Sequence, residues 1–138
     1  VGTMKTLADA VLAKGGKVVG VFTKDLSEEI AHRGVTELIL TENLAERKAI
    51  MLKRADAVVA LPGSYGTWDE LFDALALKKL RTGHKLPVGV LNVDGYFDHL
   101  IAFIQRSVAV GYTSATYSQL LTVGATPEAL FAAFAQKS

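Results

Sequence analysis

The segment from Ala57 to Ala76 contains the signals of a strand, a tight turn and a helix in immediate succession. Ala57 to Leu61 is an apolar run rich in β-branched residues, which is typical of a buried parallel strand. The apolar residues that follow repeat at three- and four-residue spacing, which predicts a helix from Trp68 to about Leu80. Because the turn between them holds two glycines, it can present backbone N–H groups to a phosphate.

Strands and helices alternate along the rest of the chain. Apolar periodicity predicts helices over 3–13, 26–32, 44–54, 96–110 and 127–135, and strands over 17–22, 37–40, 87–91 and 120–123. Gly15 and Gly16 are expected to end the first helix, and Asn43 to cap the helix over 44–54. This alternation predicts an α/β fold with a doubly wound parallel sheet, in a single domain over residues 1–138.

The chain opens inside a predicted helix, whereas a doubly wound domain normally opens with a strand. We therefore expect the sheet to lack its N-terminal strand in this chain, and the native polypeptide to extend upstream.

Composition excludes several functional classes. A net charge of +1, from 15 basic and 14 acidic residues, gives no electrostatic signature of a protein that binds nucleic acid or an anionic membrane. The chain has no cysteine, which excludes disulfides, thiolate zinc sites and a cysteine nucleophile. Its three histidines lack metal-ligand spacing, so no metal site is expected. No apolar run approaches the roughly 20 residues of a membrane span and no signal peptide is recognisable, so we expect a cytoplasmic protein.

Two segments of the chain form recognisable motifs. They are Pro62-Gly63-Ser64-Tyr65-Gly66-Thr67-Trp68-Asp69-Glu70 and Leu44-Ala45-Glu46-Arg47-Lys48. The first resembles the signature P-G-G-x-G-T-x-x-E of the Lonely Guy family, and the second resembles its M-H-x-R-K motif. Members of this family are cytokinin riboside 5′-monophosphate phosphoribohydrolases that were long labelled lysine decarboxylases. The resemblance continues through Pro87-Val88-Gly89 and Asn92-Val93-Asp94-Gly95-Tyr96, and back to Val1-Gly2-Thr3-Met4. The departures from the family pattern are Ser64, Ala45, Leu44 and Lys5.

This resemblance implies a Rossmann-like nucleotide-binding fold, a homodimer, and hydrolysis of the N-glycosidic bond of a nucleoside 5′-monophosphate. The substrate would be a purine nucleotide such as AMP or an N6-substituted form, and no metal or organic cofactor is needed. The catalytic arginine and glutamate of the family correspond to Arg47 and Glu70. The expected phosphate and nucleotide-binding residues are Gly63, Ser64, Tyr65, Gly66, Thr67 and, secondarily, Lys48. A non-catalytic module that binds a nucleotide or another phosphorylated ligand on the same fold is the alternative.

The same residues also admit structural interpretations. Thr67 and Glu70 have the spacing of a capping box, in which both side chains satisfy N–H groups at a helix start. Arg47 could be a solvated charge paired with Asn43 or Glu46.

Two further pairs of residues also admit structural interpretations. Tyr65 and Trp68 could stack on a base or pack against a partner subunit. Asp94-Gly95 is expected to form a turn with a helix cap. A pyridoxal-dependent decarboxylase is not predicted, because no lysine lies in a recognisable Schiff-base context.

Overall fold

A computed structural model describes residues 2–25, 34–80 and 83–136. The chain divides into two compact units, one ending at Arg54 and the other beginning at Ala55. Each unit is an α/β assembly of parallel strands and helices, which confirms the predicted fold class. That the whole chain forms one domain, and that a further strand lies upstream, stay predictions.

The first unit holds a two-stranded parallel sheet. Its elements are α1 (Gly2–Ala13), β1 (Val19–Thr23), β2 (Glu37–Thr41) and α2 (Leu44–Arg54). The sheet pairs Val19 with Glu37 at one end and Thr23 with Thr41 at the other. The helix predicted over 26–32 lies outside the described residues.

Local sequence signals set the helix boundaries of this unit. Gly15 has a φ of +73° directly after α1, a left-handed conformation that costs other residues more than glycine. Asn43 caps α2, because its Oδ1 accepts a hydrogen bond of 2.9 Å from the N–H of Glu46. Both predicted boundaries are confirmed.

The second unit holds a three-stranded parallel sheet in the order β3-β4-β5. Its strands are β3 (Val58–Ala60), β4 (Val88–Leu91) and β5 (Leu121–Gly124). Its helices are α3 (Tyr65–Lys79), α4 (Asp98–Ala109), α5 (Ala115–Ser118) and α6 (Pro127–Ala135), with a 3₁₀ turn at Val93–Gly95. The short helix α5 was not predicted from the sequence.

The core of the second unit forms around the middle strand, β4. Val88 and Val90 are fully buried, as expected for a strand with neighbours on both sides. The rest of this core consists of Ala60 of β3, Leu71 and Ala74 of α3, Phe97, and Leu130 and Phe134 of α6. Helix α6 approaches the sheet so closely that a Cβ on Gly89 would lie 2.8 Å from Leu130 Cδ1. Small residues in the strands therefore allow this close packing.

One boundary near the predicted site is corrected. Helix α3 begins at Tyr65, three residues before the predicted start at Trp68. The apolar periodicity begins at Trp68, but the backbone is already helical before it, and the N–H of Trp68 bonds to the Ser64 carbonyl at 3.1 Å. The N-cap is therefore Ser64.

Candidate active site

The glycine loop, residues 61–64, joins the end of β3 to the start of α3. Ser64 occupies the N-cap with φ −111° and ψ −152°, and its side chain makes no capping hydrogen bond. The first N–H groups of any α-helix lack an intrahelical acceptor. At α3 these are the N–H groups of Tyr65, Gly66 and Thr67, and the loop end around them is exposed. The arrangement can bind an anion, since the positive end of the helix dipole adds to the N–H donors.

Ser64 replaces a glycine of the family signature without backbone strain. A serine would be costly at this position only if the loop required a left-handed residue. Because the φ of Ser64 is −111°, its conformation is open to any L-residue. The substitution therefore preserves the loop and adds a hydroxyl at the helix start.

The capping-box interpretation of Thr67 and Glu70 is wrong. Thr67 is the third residue inside α3, because the N-cap is Ser64. Glu70 is half-buried and lies four residues after Gly66 and three after Thr67, which puts all three on one face of the helix. Side chains on a helix lean toward its N-terminus, so this face carries the carboxylate toward the glycine loop.

Gly63 in the loop and Gly66 in the first turn of α3 differ in their surroundings. A Cβ on Gly63 would lie 2.3 Å from the hydroxyl oxygen of Thr67, whereas a Cβ on Gly66 would meet no described atom within 4 Å. Gly63 is therefore required by the packing of the loop itself. At Gly66 the space is open, so a ligand can approach the backbone there.

A residue outside the predicted site also contacts the loop. The hydroxyl of Tyr96 donates a hydrogen bond to the carbonyl oxygen of Gly63. The sequence showed Tyr96 only as part of the stretch Asn92–Tyr96 that resembles the family. No local signal could reveal the contact, because the two residues lie 33 positions apart.

Tyr96 extends from a tightly fixed turn after β4. Asn92 Oδ1 accepts from the N–H of Phe97 at 2.7 Å, and Asn92 Nδ2 donates to Asp98 at 2.8 Å. Asp94 and Gly95 both have positive φ, at 50° and 71°. The predicted turn is confirmed, but the expected helix cap is not found, because the N-cap of α4 is Phe97 and it lacks a side-chain capping bond.

Arg47 and Lys48 lie on α2 in the first unit, and both are half-buried. The Nε of Arg47 donates a hydrogen bond of 2.7 Å to the carbonyl of Val21, the middle residue of β1. Arg47 is therefore anchored to the sheet, which favours the site interpretation over a fully solvated surface charge. Its neighbours Asn43 and Glu46 hold the helix start, where Glu46 accepts from the N–H of Glu42 at 2.8 Å.

An open depression of about 700 Å³ lies at the carboxyl ends of β1 and β2. Ala45, which stands at the histidine position of the second motif, borders it. The other lining residues are Thr23, Asp25, Glu42, Asn43 and Leu44. Ligand crevices of open α/β sheets form at this end of the strands.

The predicted site residues thus fall into two groups. Gly63, Ser64, Tyr65, Gly66, Thr67 and Glu70 are brought together at the start of α3, and Arg47 and Lys48 are neighbours on α2. The two groups belong to different compact units.

Comparison with known proteins assigns the chain to a family. The sequence profile of the family described as "possible lysine decarboxylase" matches residues 4–134, which is nearly the whole chain. The chain belongs to this family.

Curated relatives in this family carry the name of a different enzyme. The chain is 42% identical to a probable cytokinin riboside 5′-monophosphate phosphoribohydrolase, LOGL9 of Oryza sativa subsp. japonica, over 86% of this chain and 52% of the relative. It is 39% identical to the cytokinin riboside 5′-monophosphate phosphoribohydrolase LOG2 of Arabidopsis thaliana, over 88% of this chain and 57% of the relative. The resemblance to the Lonely Guy family is confirmed, and the chain spans little more than half the length of these relatives.

Metal-binding clusters and membrane-spanning helices are both absent from the described ranges. Residues 2–25, 34–80 and 83–136 contain no group of three or more His, Cys, Asp or Glu side chains that could hold a metal ion. Within the same ranges, no helix has the length and apolar character that crossing a membrane requires.

Proposed function

We propose that this member of the family hydrolyses the N-glycosidic bond of a purine nucleoside 5′-monophosphate, releasing the free base and ribose 5-phosphate. Glu70 carries this proposal, because it shares a helix face with the N–H groups that would hold the phosphate. A site that only binds phosphate gains nothing from a carboxylate next to a polyanion. A hydrolase, in contrast, gains from a carboxylate at this position.

The chemistry assigns a role to each residue. The 5′-phosphate would bind the N–H groups of Gly66 and Thr67 and the hydroxyl of Ser64 at the positive end of the helix dipole. This holds the ribose one helical turn along α3, beside Glu70. As the bond to the base breaks, positive charge develops on the sugar, and the Glu70 carboxylate stabilises that charge or activates the attacking water.

We infer from the family resemblance that Arg47 also binds the nucleotide. Its guanidinium can form two parallel hydrogen bonds to phosphate or sugar oxygens, which an ammonium group cannot do in the same geometry. The anchor from Nε to the Val21 carbonyl reduces the freedom that the side chain would lose on binding a nucleotide. Lys48 is a secondary candidate. Water is the nucleophile, and the family resemblance implies no metal or organic cofactor.

The test is an incubation of the protein with AMP and with N6-isopentenyladenosine 5′-monophosphate, in which released base is followed by chromatography. Glu70→Gln should lower the turnover by about 10²- to 10⁴-fold, the usual contribution of a positioned acid or base, while nucleotide binding persists. Asp69→Asn is the matched control, because it removes the neighbouring carboxylate of the same helix turn. Binding without release by the wild-type protein would instead indicate a nucleotide-binding module.

We also propose that the protein is a cytoplasmic homodimer. Tyr65, Trp68 and Phe72 are 82%, 37% and 45% exposed, and their spacing gives α3 an uncovered aromatic stripe. The rings of Tyr65 and Trp68 already contact each other edge to face, with centroids 5.0 Å apart. A stripe of this kind suits an interface with a second copy. Analytical ultracentrifugation should give a dimer for the wild-type protein and a monomer for Phe72→Asp, and a fluorescent fusion would test the location.

A further inference from the structure

We infer that Tyr96 is a positioning residue for the phosphate site, which it serves by fixing the peptide between Gly63 and Ser64. This inference rests on the proposed function of the glycine loop. Its basis is the hydrogen bond from the Tyr96 hydroxyl to the Gly63 carbonyl, which links the turn after β4 to the loop after β3.

The hydrogen bond to the Gly63 carbonyl determines the direction in which the N–H of Ser64 points. The Gly63–Ser64 peptide is trans, since the described backbone contains no cis peptide. In a planar trans peptide, the carbonyl oxygen and the following N–H point to opposite sides. When Tyr96 holds the Gly63 carbonyl on one side, the N–H of Ser64 must point to the other side. That N–H belongs to the N-cap of α3, beside the other donors of the helix start.

The turn that carries Tyr96 is built to hold it still. The Tyr96 ring packs edge to face on Phe97, with centroids 4.9 Å apart, and Phe97 is buried in the core. The Asn92 side chain closes the turn through Phe97 and Asp98. A Cβ on Gly95 would lie 2.5 Å from a carboxylate oxygen of Asp98, so the glycine allows the Asp98 side chain to pack against the turn.

Alternative loop conformations show why such a support is useful. Glycine populates left- and right-handed conformations about equally, so a loop that contains Gly63 can rotate its peptide. A rotated peptide would direct a carbonyl oxygen, instead of an N–H, at a bound phosphate. The Tyr96 hydroxyl opposes this rotation, because the rotated loop would lose its hydrogen bond.

The decisive variant is Tyr96→Phe, which removes the hydroxyl and keeps the ring on Phe97. We expect the KM for the nucleotide and the Kd for ribose 5-phosphate each to rise about three- to tenfold, the effect of one hydrogen bond, with kcat within about twofold of wild type. In the presence of ribose 5-phosphate, amide hydrogen exchange at Ser64 should be faster in the variant than in the wild-type protein. Tyr112→Phe, which removes a hydroxyl from an exposed tyrosine, is the matched control and should change none of these values.

The outcomes separate this inference from the proposed reaction. If the wild-type protein binds ribose 5-phosphate but releases no base, the proposed reaction is wrong, and the comparison of affinities still tests Tyr96. Equal affinities of the wild-type protein and Tyr96→Phe would overturn the inference. So would a loss of kcat at unchanged KM, a loss of cooperative unfolding in Tyr96→Phe, or a wild-type protein that binds no ribose 5-phosphate.

Discussion

Gly63 and Thr67 pack directly against each other where the glycine loop enters α3. A Cβ built on Gly63 would lie 2.3 Å from Thr67 Oγ1 and 3.1 Å from Thr67 Cβ. The conformation of the loop and the rotamer of Thr67 therefore depend on each other. This relationship explains why the loop needs a glycine at position 63 although that residue does not have a positive φ.

Gly63→Ala should lower the free energy of unfolding by about 1–3 kcal/mol, the usual cost of inserting a methyl group into a packed site. The cost should fall in a Thr67→Ala background, because the alanine removes the hydroxyl that the new methyl group would strike. Urea unfolding of the wild-type protein, both single variants and the double variant measures this coupling. Additive effects of the two substitutions would contradict the steric explanation.

Gly66→Ala should affect the free energy of unfolding and kcat/KM in different ways. No described atom lies within 4 Å of the added Cβ, and alanine favours a helix over glycine by up to about 1 kcal/mol. We therefore expect an unchanged or increased free energy of unfolding. If the phosphate lies against this backbone, kcat/KM should fall on the order of 10²-fold, as for a displacement of the substrate by about 1 Å. Unchanged kinetics would show that the nucleotide binds elsewhere.

Much of this architecture is local enough to be predicted from sequence. The alternation of strands and helices, the C-terminal glycine after α1 and the Asn43 cap depend on residues within one or two turns of each other. The start of α3 could not be predicted from such local signals. Tyr65 and Gly66 are helical, but glycine disfavours helix and Gly63 and Gly66 together are typical of a turn, so the helix is predicted only from Trp68.

Contacts between distant residues cannot be predicted from the periodicity of apolar residues. Tyr96 contacts Gly63 across 33 positions, and Arg47 contacts Val21 across 26. Both are side chains that bond to a backbone carbonyl, and a carbonyl is available at every residue of the chain. The family resemblance drew attention to Arg47 and to the stretch that contains Tyr96, but only the fold identifies their acceptors.

Arg47→Lys should test the anchor to β1. Lysine keeps the positive charge but lacks the Nε that donates to Val21 at 2.7 Å. We expect a loss of about 1 kcal/mol in the free energy of unfolding, the typical value of one hydrogen bond, together with a lower kcat/KM. Arg106→Lys makes the same exchange at an exposed position on α4 and should have little effect on either quantity. Equal behaviour of the two variants would exclude a specific role for the Arg47 guanidinium.

The ion pair of Arg54 and Glu37 should make the stability of the protein depend on pH in the acid range. Arg54 ends α2 and Glu37 begins β2, and their side chains form two hydrogen bonds of 2.8 Å. These hydrogen bonds lower the pKa of Glu37 from its ordinary value of 4.5, against a smaller opposing effect of desolvation and with added attraction to the Arg54 charge. Because the pKa of a carboxyl group is lowered in the folded state, its contribution to stability is present above the ordinary pKa. That contribution disappears as the pH falls through the folded pKa.

Arg54→Gln removes the cation and should return the pKa of Glu37 toward 4.5. A pH titration followed by NMR at the Glu37 carboxyl carbon measures this directly. The difference in melting temperature between wild type and Arg54→Gln should therefore be present at neutral pH and vanish at a pH below the folded pKa of Glu37. Since both side chains are exposed to solvent, high salt should reduce the difference in pKa. Identical titration midpoints in the two proteins would mean that the ion pair does not persist in solution.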